Sequence, residues 1–190
     1  DIVDTGAAVK AALDAKSTDP EHQRVAQLLA QYQEADALAR FRAAMSAGYA
    51  ALDAENFNDA RAFFAKAGKI RPGASEPQSA QAELTAAKTA AKLRQLANTG
   101  KAQERDEAWA DAVATYEEAL SIDSTLIYAR DGLKQAAPRA ELAAALTAVL
   151  EDPERLVNTR ALAAAEAVLA DATAIAPRGP VLETQISVLQ

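Results

Sequence analysis

The stretch NFNDARAFFAKAGKIRPG, residues 56–73, decides the fold of this chain. Its aromatic and small residues recur every three or four positions, at Phe57, Ala60, Phe64 and Ala67. That spacing places them on one face of a helix, and Pro72 then ends the helix because proline cannot continue it. A face on which small residues alternate with rings suits closely packed helices, since the small residues admit a neighbouring backbone and the rings fill the remaining space.

The same face recurs along the chain at an interval of about 52 residues, as in proteins built from internal repeats. In AWADAVATYEEALSIDS (108–124) the matching residues are Trp109, Ala112, Tyr116 and Ala119. In RALAAAEAVLADATAIAP (160–177) they are Leu162, Ala165, Leu169 and Ala172. One step back from the first copy, the matching places hold Ala8, Ala15 and Pro20. Several agreeing positions in each copy indicate an internal repeat, in which each unit packs on its neighbours.

The composition favours thin, closely packed helices. Of the 190 residues, 51 are alanine, which is more than half of the 50% scored as hydrophobic, so large apolar residues for a thick core are scarce. Alanine has the highest helix propensity. Gly and Pro number only 7 each and aromatics make up 5%, which is low for a β-rich fold. We therefore predict an all-α protein.

Charge and cysteine content exclude several classes of function. The net charge of −7 disfavours binding to nucleic acid, because phosphate contacts need clustered Lys and Arg. The absence of Cys excludes disulfides, thiol catalysis and Cys-based metal sites. No apolar run approaches the length of a membrane span, so we expect no membrane insertion by this segment. Because the chain begins with Asp, we expect a processed or excised part of a longer protein.

The repeated positions resemble the tetratricopeptide repeat (TPR), which has a small residue, a ring and another small residue on its second helix, followed by proline. The TPR glycine on the first helix corresponds to Gly48 in one copy and Gly100 in the next. We expect Gly48 to let the ring of Phe64 approach the first helix closely. The resemblance implies a right-handed solenoid of helical hairpins. TPR units have a period of about 34 residues, and the longer interval here predicts elongated helices.

The pattern predicts a single domain, 1–190, built entirely of helices. The predicted helices span 4–16, 21–55, 58–70, 77–106, 108–121, 125–150, 158–175 and 179–189. The predicted repeat units are 1–20 (partial), 21–72, 73–124 and 125–177, with a closing helix at 178–190. In the third copy Pro153 replaces the glycine, so we expect a loop or bent helix at 151–157, and Pro138 is expected to begin or kink a helical turn.

No constellation of residues predicts catalysis. His22 is the only histidine, and it has no Cys or second His at ligand spacing, so we expect no metal site and no general base for a nucleophile. The acidic pairs within 104–111 and at Glu117 and Glu118 are interpreted as solvated helix faces. Neither phosphate-binding glycine motif occurs. We predict a protein that is not an enzyme and uses no cofactor.

Two sets of residues are candidates for partner binding. The TPR resemblance implies a concave groove lined by the first helix of each unit. In one unit the groove positions are Arg42, Met45, Tyr49, Leu52 and Asp53, and in the next they are Arg94, Ala97, Lys101, Glu104 and Arg105. The family's best-known pocket clamps a peptide carboxylate with Lys and Asn. Met45 and Tyr49 occupy two of those places, so that clamp is not predicted. Independently, one long helix carries Lys88, Lys92, Arg94 and Lys101 with no acid between 84 and 103. This run is either a solvated face or a dock for an acidic peptide.

The predicted function is a protein–protein interaction scaffold, or adaptor, that holds a partner peptide or helix. The alternative is a structural spacer or a self-assembling module, which would be a homo-oligomer. The tail from 152, with DPERL and then AIAPRGP, resembles the end of a TPR segment in certain membrane-anchored envelope proteins of Gram-negative bacteria. That resemblance implies a periplasmic location; a cytoplasmic one is the alternative.

Overall fold

The computed structural model describes residues 20–190, apart from the side chain of Arg155. Every regular element in this part of the chain is a helix, so the all-α prediction is confirmed. The α-helices, in chain order, are α1 (Pro20–Asp53), α2 (Phe57–Ile70), α3 (Glu76–Arg105), α4 (Trp109–Ile122), α5 (Ile127–Glu151), α6 (Thr159–Ala174) and α7 (Pro180–Leu189). The helix predicted at 4–16 lies outside the described residues.

The ends of these helices fall within two residues of the predicted ends. The interruption predicted at 151–157 is a 3-10 helix, Pro153–Val157. Pro138 lies inside α5. Helix boundaries were predictable because proline, together with the spacing of apolar residues, limits where a helix can run.

The chain divides into two compact units, Asp1–Thr89 and Ala90–Gln190, with the boundary inside α3. The first contains α1, α2 and the beginning of α3. The second contains the rest of α3 and the helices α4 to α7. The finer division into repeat units stays a prediction.

The core of the first unit is centred on α2. Ala60, Phe64 and Ala67 are fully buried, together with residues from α1 and the beginning of α3, namely Phe41, Ala44, Met45, Ala80 and Leu84. A Cβ atom added at Gly48 would lie 2.6 Å from Cδ1 of Phe64 and closer still to Cε1. The ring of Phe64 therefore lies directly on the backbone of α1, as predicted for this glycine.

The second unit has an equivalent core centred on α4. Ala112, Tyr116 and Ala119 are buried there with residues of α3 and α5, namely Leu96, Ala129 and Ala136. Tyr116 lies between two glycines: a Cβ at Gly100 would be 2.6 Å from its Cε1, and a Cβ at Gly132 would meet its Cε2, Cζ and, at 2.9 Å, Cδ2. The sequence had matched Gly100 to the position of Gly48, whereas it gave no role to Gly132.

A third cluster near the C-terminus is built from α5, α6 and α7. Its buried members are Leu146, Ala172, Leu182 and Ile186. Of the residues matched by sequence in this copy, Ala165 is also buried, but Leu162 is exposed. The pattern is therefore weaker here, because no aromatic ring occupies the central place of the face.

The turns after α1 and α3 have the same backbone geometry. Glu55 and Glu107, which occupy matching places in these turns, have positive φ angles of 58° and 56°. In each turn the following amide closes a hydrogen bond of 2.8 Å, from Asn56 N to Ala51 O and from Ala108 N to Gln103 O. A residue in the left-handed conformation followed by such a bond is a common way of ending a helix and satisfying its last carbonyls.

Candidate interaction surface

Met45, one of the predicted binding residues, belongs to the core of the first unit. It is 9% exposed and packs in one cluster with Phe41 and Phe64. Phe41, Met45 and Gly48 are spaced by four and three residues, so they share one face of α1. This is the face on which the rings of α2 pack. Met45 therefore offers no surface to a partner, whereas the neighbouring Arg42 is exposed.

Tyr49 lies at the edge of the same core and remains 36% exposed. Its ring meets that of Phe64 edge to face, with the centroids 5.2 Å apart and the planes inclined at 68°. Partial burial and the neighbouring carboxylate of Glu83, which accepts a hydrogen bond from the hydroxyl, raise the pKa of Tyr49. A ring fixed by such contacts loses little freedom on binding, as is typical of interface anchors.

Lys88 lies over another ring of the first unit. Its Nζ is 6.0 Å from the centroid of Phe57 at the beginning of α2. Lys88 is half-buried. A contact between a cation and a ring near the protein surface contributes only about 0.5–1 kcal/mol, so Phe57 holds Lys88 weakly.

Lys92, on the second unit, is paired within the chain. Its Nζ lies 2.9 Å from Oε1 of Glu118 on α4, and both side chains are about half-exposed. Arg94 is two residues further along α3, a rotation of about 200° around a helix. The structure therefore places Lys92 on the side of α3 that faces α4 and Arg94 on the other side.

Arg94 lies on the same side of α3 as Lys101, which is seven residues, or two turns, further along the helix. Arg105 follows after four more residues and continues the line. All three side chains are exposed, and the Nε of Arg105 is 3.5 Å from the carboxylate of the adjacent Asp106. We call Arg94, Lys101 and Arg105 the basic line. Arg105 was among the groove positions implied by the TPR resemblance, but not among the predicted binding residues.

The C-terminal part of the second unit is held by Glu107 and Arg139. The two carboxylate oxygens of Glu107 accept hydrogen bonds from the amides of Val181 and Leu182, at 2.8 and 3.1 Å. They satisfy the beginning of α7, whose N-cap, Gly179, has no side chain to do so. The Arg139 guanidinium lies 5.2 Å from the Trp109 ring centroid and donates to the carbonyl of Ala176 at 3.0 Å. The sequence did not indicate either role, because the partners are far away along the chain.

Replacing Glu107 with alanine is expected to lower the free energy of unfolding of the second unit by about 1–2 kcal/mol. The change leaves two amides of α7 without a charged acceptor near the positive end of the helix dipole. Glu107→Gln should lose less, because one amide oxygen still accepts. Urea denaturation followed by circular dichroism measures all of these changes.

Glu55→Ala is the control for this prediction, because it makes the same substitution at the same positive φ in the turn after α1. It removes no bond to α7 and should therefore cost less than Glu107→Ala. Equal losses at the two positions would show that the hydrogen bonds to α7 do not stabilise the protein.

Two openings on the described surface are wide and shallow. One of about 650 Å³ surrounds the turn between α2 and α3, and one of about 460 Å³ lies between α4 and α5 with a floor made largely of alanine. A smaller cavity beside Trp109 and Arg139 has a volume of about 40 Å³, little more than one water molecule occupies. Among residues 20–190, no group of three or more His, Cys, Asp or Glu is placed to hold a metal ion.

None of the helices between residues 20 and 190 combines the length and apolar character that crossing a bilayer requires. Comparison of this chain with models of known protein families, with curated proteins and with solved structures finds no match. The resemblance to the TPR motif thus rests on the residues alone. The class that the described residues define is an all-α protein with helices joined by short turns.

Proposed function

We propose that this protein is a non-catalytic interaction scaffold, and that the basic line of α3 binds an acidic segment of a partner protein. The observation that carries this proposal is the spacing of Arg94, Lys101 and Arg105, three exposed cations on one side of a helix. An acidic helix or extended peptide lying along α3 would meet them in succession. The wide, shallow openings favour a macromolecular partner over a small ligand.

The electrostatic setting makes this line distinctive. The chain has a net charge of −7, which disfavours an acidic partner overall, while the basic line attracts one. Such complementarity mainly raises the association rate and fixes orientation. Single exposed ion pairs contribute about 1 kcal/mol or less, so the three cations are expected to act together and to be weakened by salt.

The first unit offers a second, separate contact. Tyr49 provides a partly exposed ring supported by Phe64, and the exposed Arg42 lies seven residues earlier on α1. Lys88 adds a cation that Phe57 holds only weakly. We expect this surface to slow the dissociation of the partner, because aromatic anchors act chiefly on the dissociation rate.

The architecture we propose is a TPR-like, right-handed solenoid of elongated helical hairpins. It is supported by the Phe64–Gly48 and Tyr116–Gly100 contacts, which recur at matching places of two successive copies. The shared turn geometry at Glu55 and Glu107 also supports it. The TPR resemblance implies that the first helix of each hairpin lines the binding side, and Arg94, Lys101 and Arg105 are among the groove positions that it implies.

The double variant Arg94→Glu plus Lys101→Glu is expected to weaken binding of an acidic probe by about tenfold or more, because two attractive contacts become repulsive. The probe is a short fluorescein-labelled peptide rich in Glu, followed by fluorescence anisotropy. Raising the ionic strength from about 0.05 to 0.15 M should weaken wild-type binding. Circular dichroism checks that the helices remain folded.

The charge-matched control is Lys66→Glu plus Lys69→Glu, which changes two exposed lysines of α2. It alters the net charge equally but leaves the basic line intact, so it should retain most of the binding. Equal losses in the two variants would mean that only net charge matters. Retained binding in the Arg94 and Lys101 variant would show that partners dock elsewhere.

The second candidate function, a spacer or self-assembling module, is favoured by the apolar side chains that α7 leaves uncovered. Val181 and Val188 are 51% and 67% exposed, although Leu182 and Ile186 between them are buried. Sedimentation velocity over a range of concentrations distinguishes the two functions. Self-association that Val181→Ser plus Val188→Ser abolishes would support assembly, and a monomer at all concentrations would contradict it.

For its location we propose the periplasm, as part of a membrane-anchored envelope protein. Only the resemblance of the tail from 152 onward supports this. Fractionation of cells that produce the native protein tests it, since recovery in the cytoplasm would contradict the proposal.

A further inference from the structure

A shallow groove of about 460 Å³ lies between α4 and α5 in the second unit. One wall is the beginning of α4 with the turn before it, residues 107–111. The floor is one face of α5, because its residues follow one another at spacings of three and four. Its side chains are all small, at Ala140, Ala143, Ala144, Thr147 and Ala148. Long side chains of another helix can therefore lie across this floor.

Among the described residues, every charged side chain that lines this groove is acidic. Glu107 stands in the wall, where its carboxylate accepts the two amides of α7. Asp111 in the wall and Glu151 at the end of the floor are both exposed. Arg and Lys side chains suit such a surface, because their aliphatic parts cover apolar atoms while their charged groups bind carboxylates. The groove therefore favours a helix face that carries cations.

The basic line of α3 matches this groove in length and in charge. From Arg94 to Arg105 the line covers eleven residues, or about 16 Å of helix, and the floor from Ala140 to Glu151 covers the same length. Asn98, four residues after Arg94 on the same side of α3, is small and exposed. A helix with small residues between its cations can approach an alanine floor closely.

The line and the groove do not meet within one molecule. The groove has its wall on α4, whereas the line lies on the side of α3 away from α4, opposite the Lys92–Glu118 ion pair. Two lines, or two grooves, would bring like charges together, which is unfavourable. The line of one molecule against the groove of another is the pairing that joins opposite charges.

We infer that the partner of the basic line is a second copy of this chain, with α3 of one molecule lying in the α4–α5 groove of the next. The inference rests on the proposed function, because it uses the same three cations. The contact joins two different surfaces, so each molecule makes it twice, once through its line and once through its groove. Contacts of this type build closed rings or open chains.

Charge reversal on each side of the contact tests the inference on the full chain. The line variant is Arg94→Glu plus Lys101→Glu, and the groove variant is Asp111→Lys plus Glu151→Lys. Each alone should weaken self-association by at least about tenfold in sedimentation velocity, because attractive pairs become repulsive. An equimolar mixture of the two variants should associate within about threefold of the wild type, since every line then meets a groove of opposite charge.

Two variants control for net charge. Lys66→Glu plus Lys69→Glu changes the net charge as the line variant does, and Glu166→Lys plus Asp171→Lys changes it as the groove variant does. All four residues are exposed and lie on α2 or α6, away from the line and the groove. Both controls should associate as the wild type does, and circular dichroism checks that every variant remains helical.

A wild-type protein that is monomeric at every concentration would overturn the inference. So would association that both reversals leave intact, that only Val181→Ser plus Val188→Ser abolishes, or that the mixture fails to restore. The proposed function fails by a different result, namely a line variant that binds the Glu-rich peptide as tightly as the wild type. Peptide binding by a monomeric wild type would keep the proposed function and reject the second copy as the partner.

The absence of natural cysteine allows the contact itself to be located. Asn98→Cys places a thiol on the line, and Ala144→Cys places one on the floor of the groove. In a glutathione buffer, a mixture of these variants should form the disulfide between positions 98 and 144 at least about tenfold faster than Ala62→Cys mixed with Ala144→Cys, because Ala62 is an exposed residue of α2. Mass spectrometry of non-reduced digests identifies the bond. Equal rates in the two mixtures would overturn the inference, since α3 would then have no preference for the groove.

Discussion

Tyr116→Ala is expected to lower the free energy of unfolding of the second unit by about 3–5 kcal/mol, the usual cost of removing a buried ring. Tyr116 is only 2% exposed and lies between the backbones of α3 and α5 at Gly100 and Gly132. Burial raises its pKa to about 12, with a smaller contribution from the carboxylate of Glu104, which accepts its hydroxyl proton in a hydrogen bond. Gly100 and Gly132 have no side chains, so neither residue can fill the space that the ring leaves.

The same contact predicts a strong coupling between Tyr116 and Gly132. Gly132→Ala should cost about 1–3 kcal/mol in the unaltered chain, because the new methyl group overlaps a ring that Gly100 prevents from moving away. In the Tyr116→Ala background the same change should cost nothing or stabilise by up to about 1 kcal/mol, since alanine is the better helix former. Urea denaturation of the four proteins gives the coupling energy directly.

Gly68→Ala is the control for the effect of alanine in a helix. A Cβ at this position of α2 would meet only the Cβ of Pro77, at an ordinary 3.7 Å. We expect a small gain in stability there. Additive costs for Tyr116→Ala and Gly132→Ala would show that the ring and the glycine do not depend on each other.

Ala60→Leu and Ala112→Leu should each lower the free energy of unfolding by about 1–3 kcal/mol, because both alanines are fully buried on the inner faces of α2 and α4. A larger side chain at either place must push the neighbouring helices apart. Ala164→Leu is the matched change at an exposed site of α6, one residue before the buried Ala165. It should alter stability by less than about 0.5 kcal/mol, as surface substitutions usually do.

Thermal and urea unfolding of the three variants measure these differences. Equal tolerance at all three sites would mean that the spacing of small residues and rings does not set the packing of the helices. A large loss at Ala164 alone would place the buried face of α6 one residue away from Ala165.

The candidate surface was only partly predictable, and Met45 shows why. Its spacing from Gly48 and Tyr49 assigns all three to one stretch of helix, but which of them faces water depends on where the rings of α2 pack. Phe64 meets Gly48 and the edge of Tyr49, which leaves Met45 inside and the Tyr49 ring partly outside. Sequence spacing places residues on a face; the neighbouring helix determines which face is covered.

The cations of α3 show a second limit. A run without acids indicates a basic helix, but a helix distributes successive residues over all its sides. Lys92 forms an ion pair with Glu118 of α4, whereas Arg94 lies on the other side of α3 in line with Lys101 and Arg105. The spacing of seven and four residues already contained that alignment, whereas the ion pair depends on the position of another helix.

The sequence by itself determined the all-α class, the ends of the helices and the close approach at Gly48, and it placed Gly100 at the matching position of the next copy. These follow from local chemistry: alanine favours helix, proline ends it, and small residues at helical spacing mark contacts between backbones. Only the tertiary structure revealed Gly132 as the second support of Tyr116, Glu107 as the cap of α7 and the separation of Lys92 from the basic line. Each of these contacts joins residues that are distant in the chain. Folding brings such residues together, and the neighbours of a residue in the sequence do not show which of them will meet.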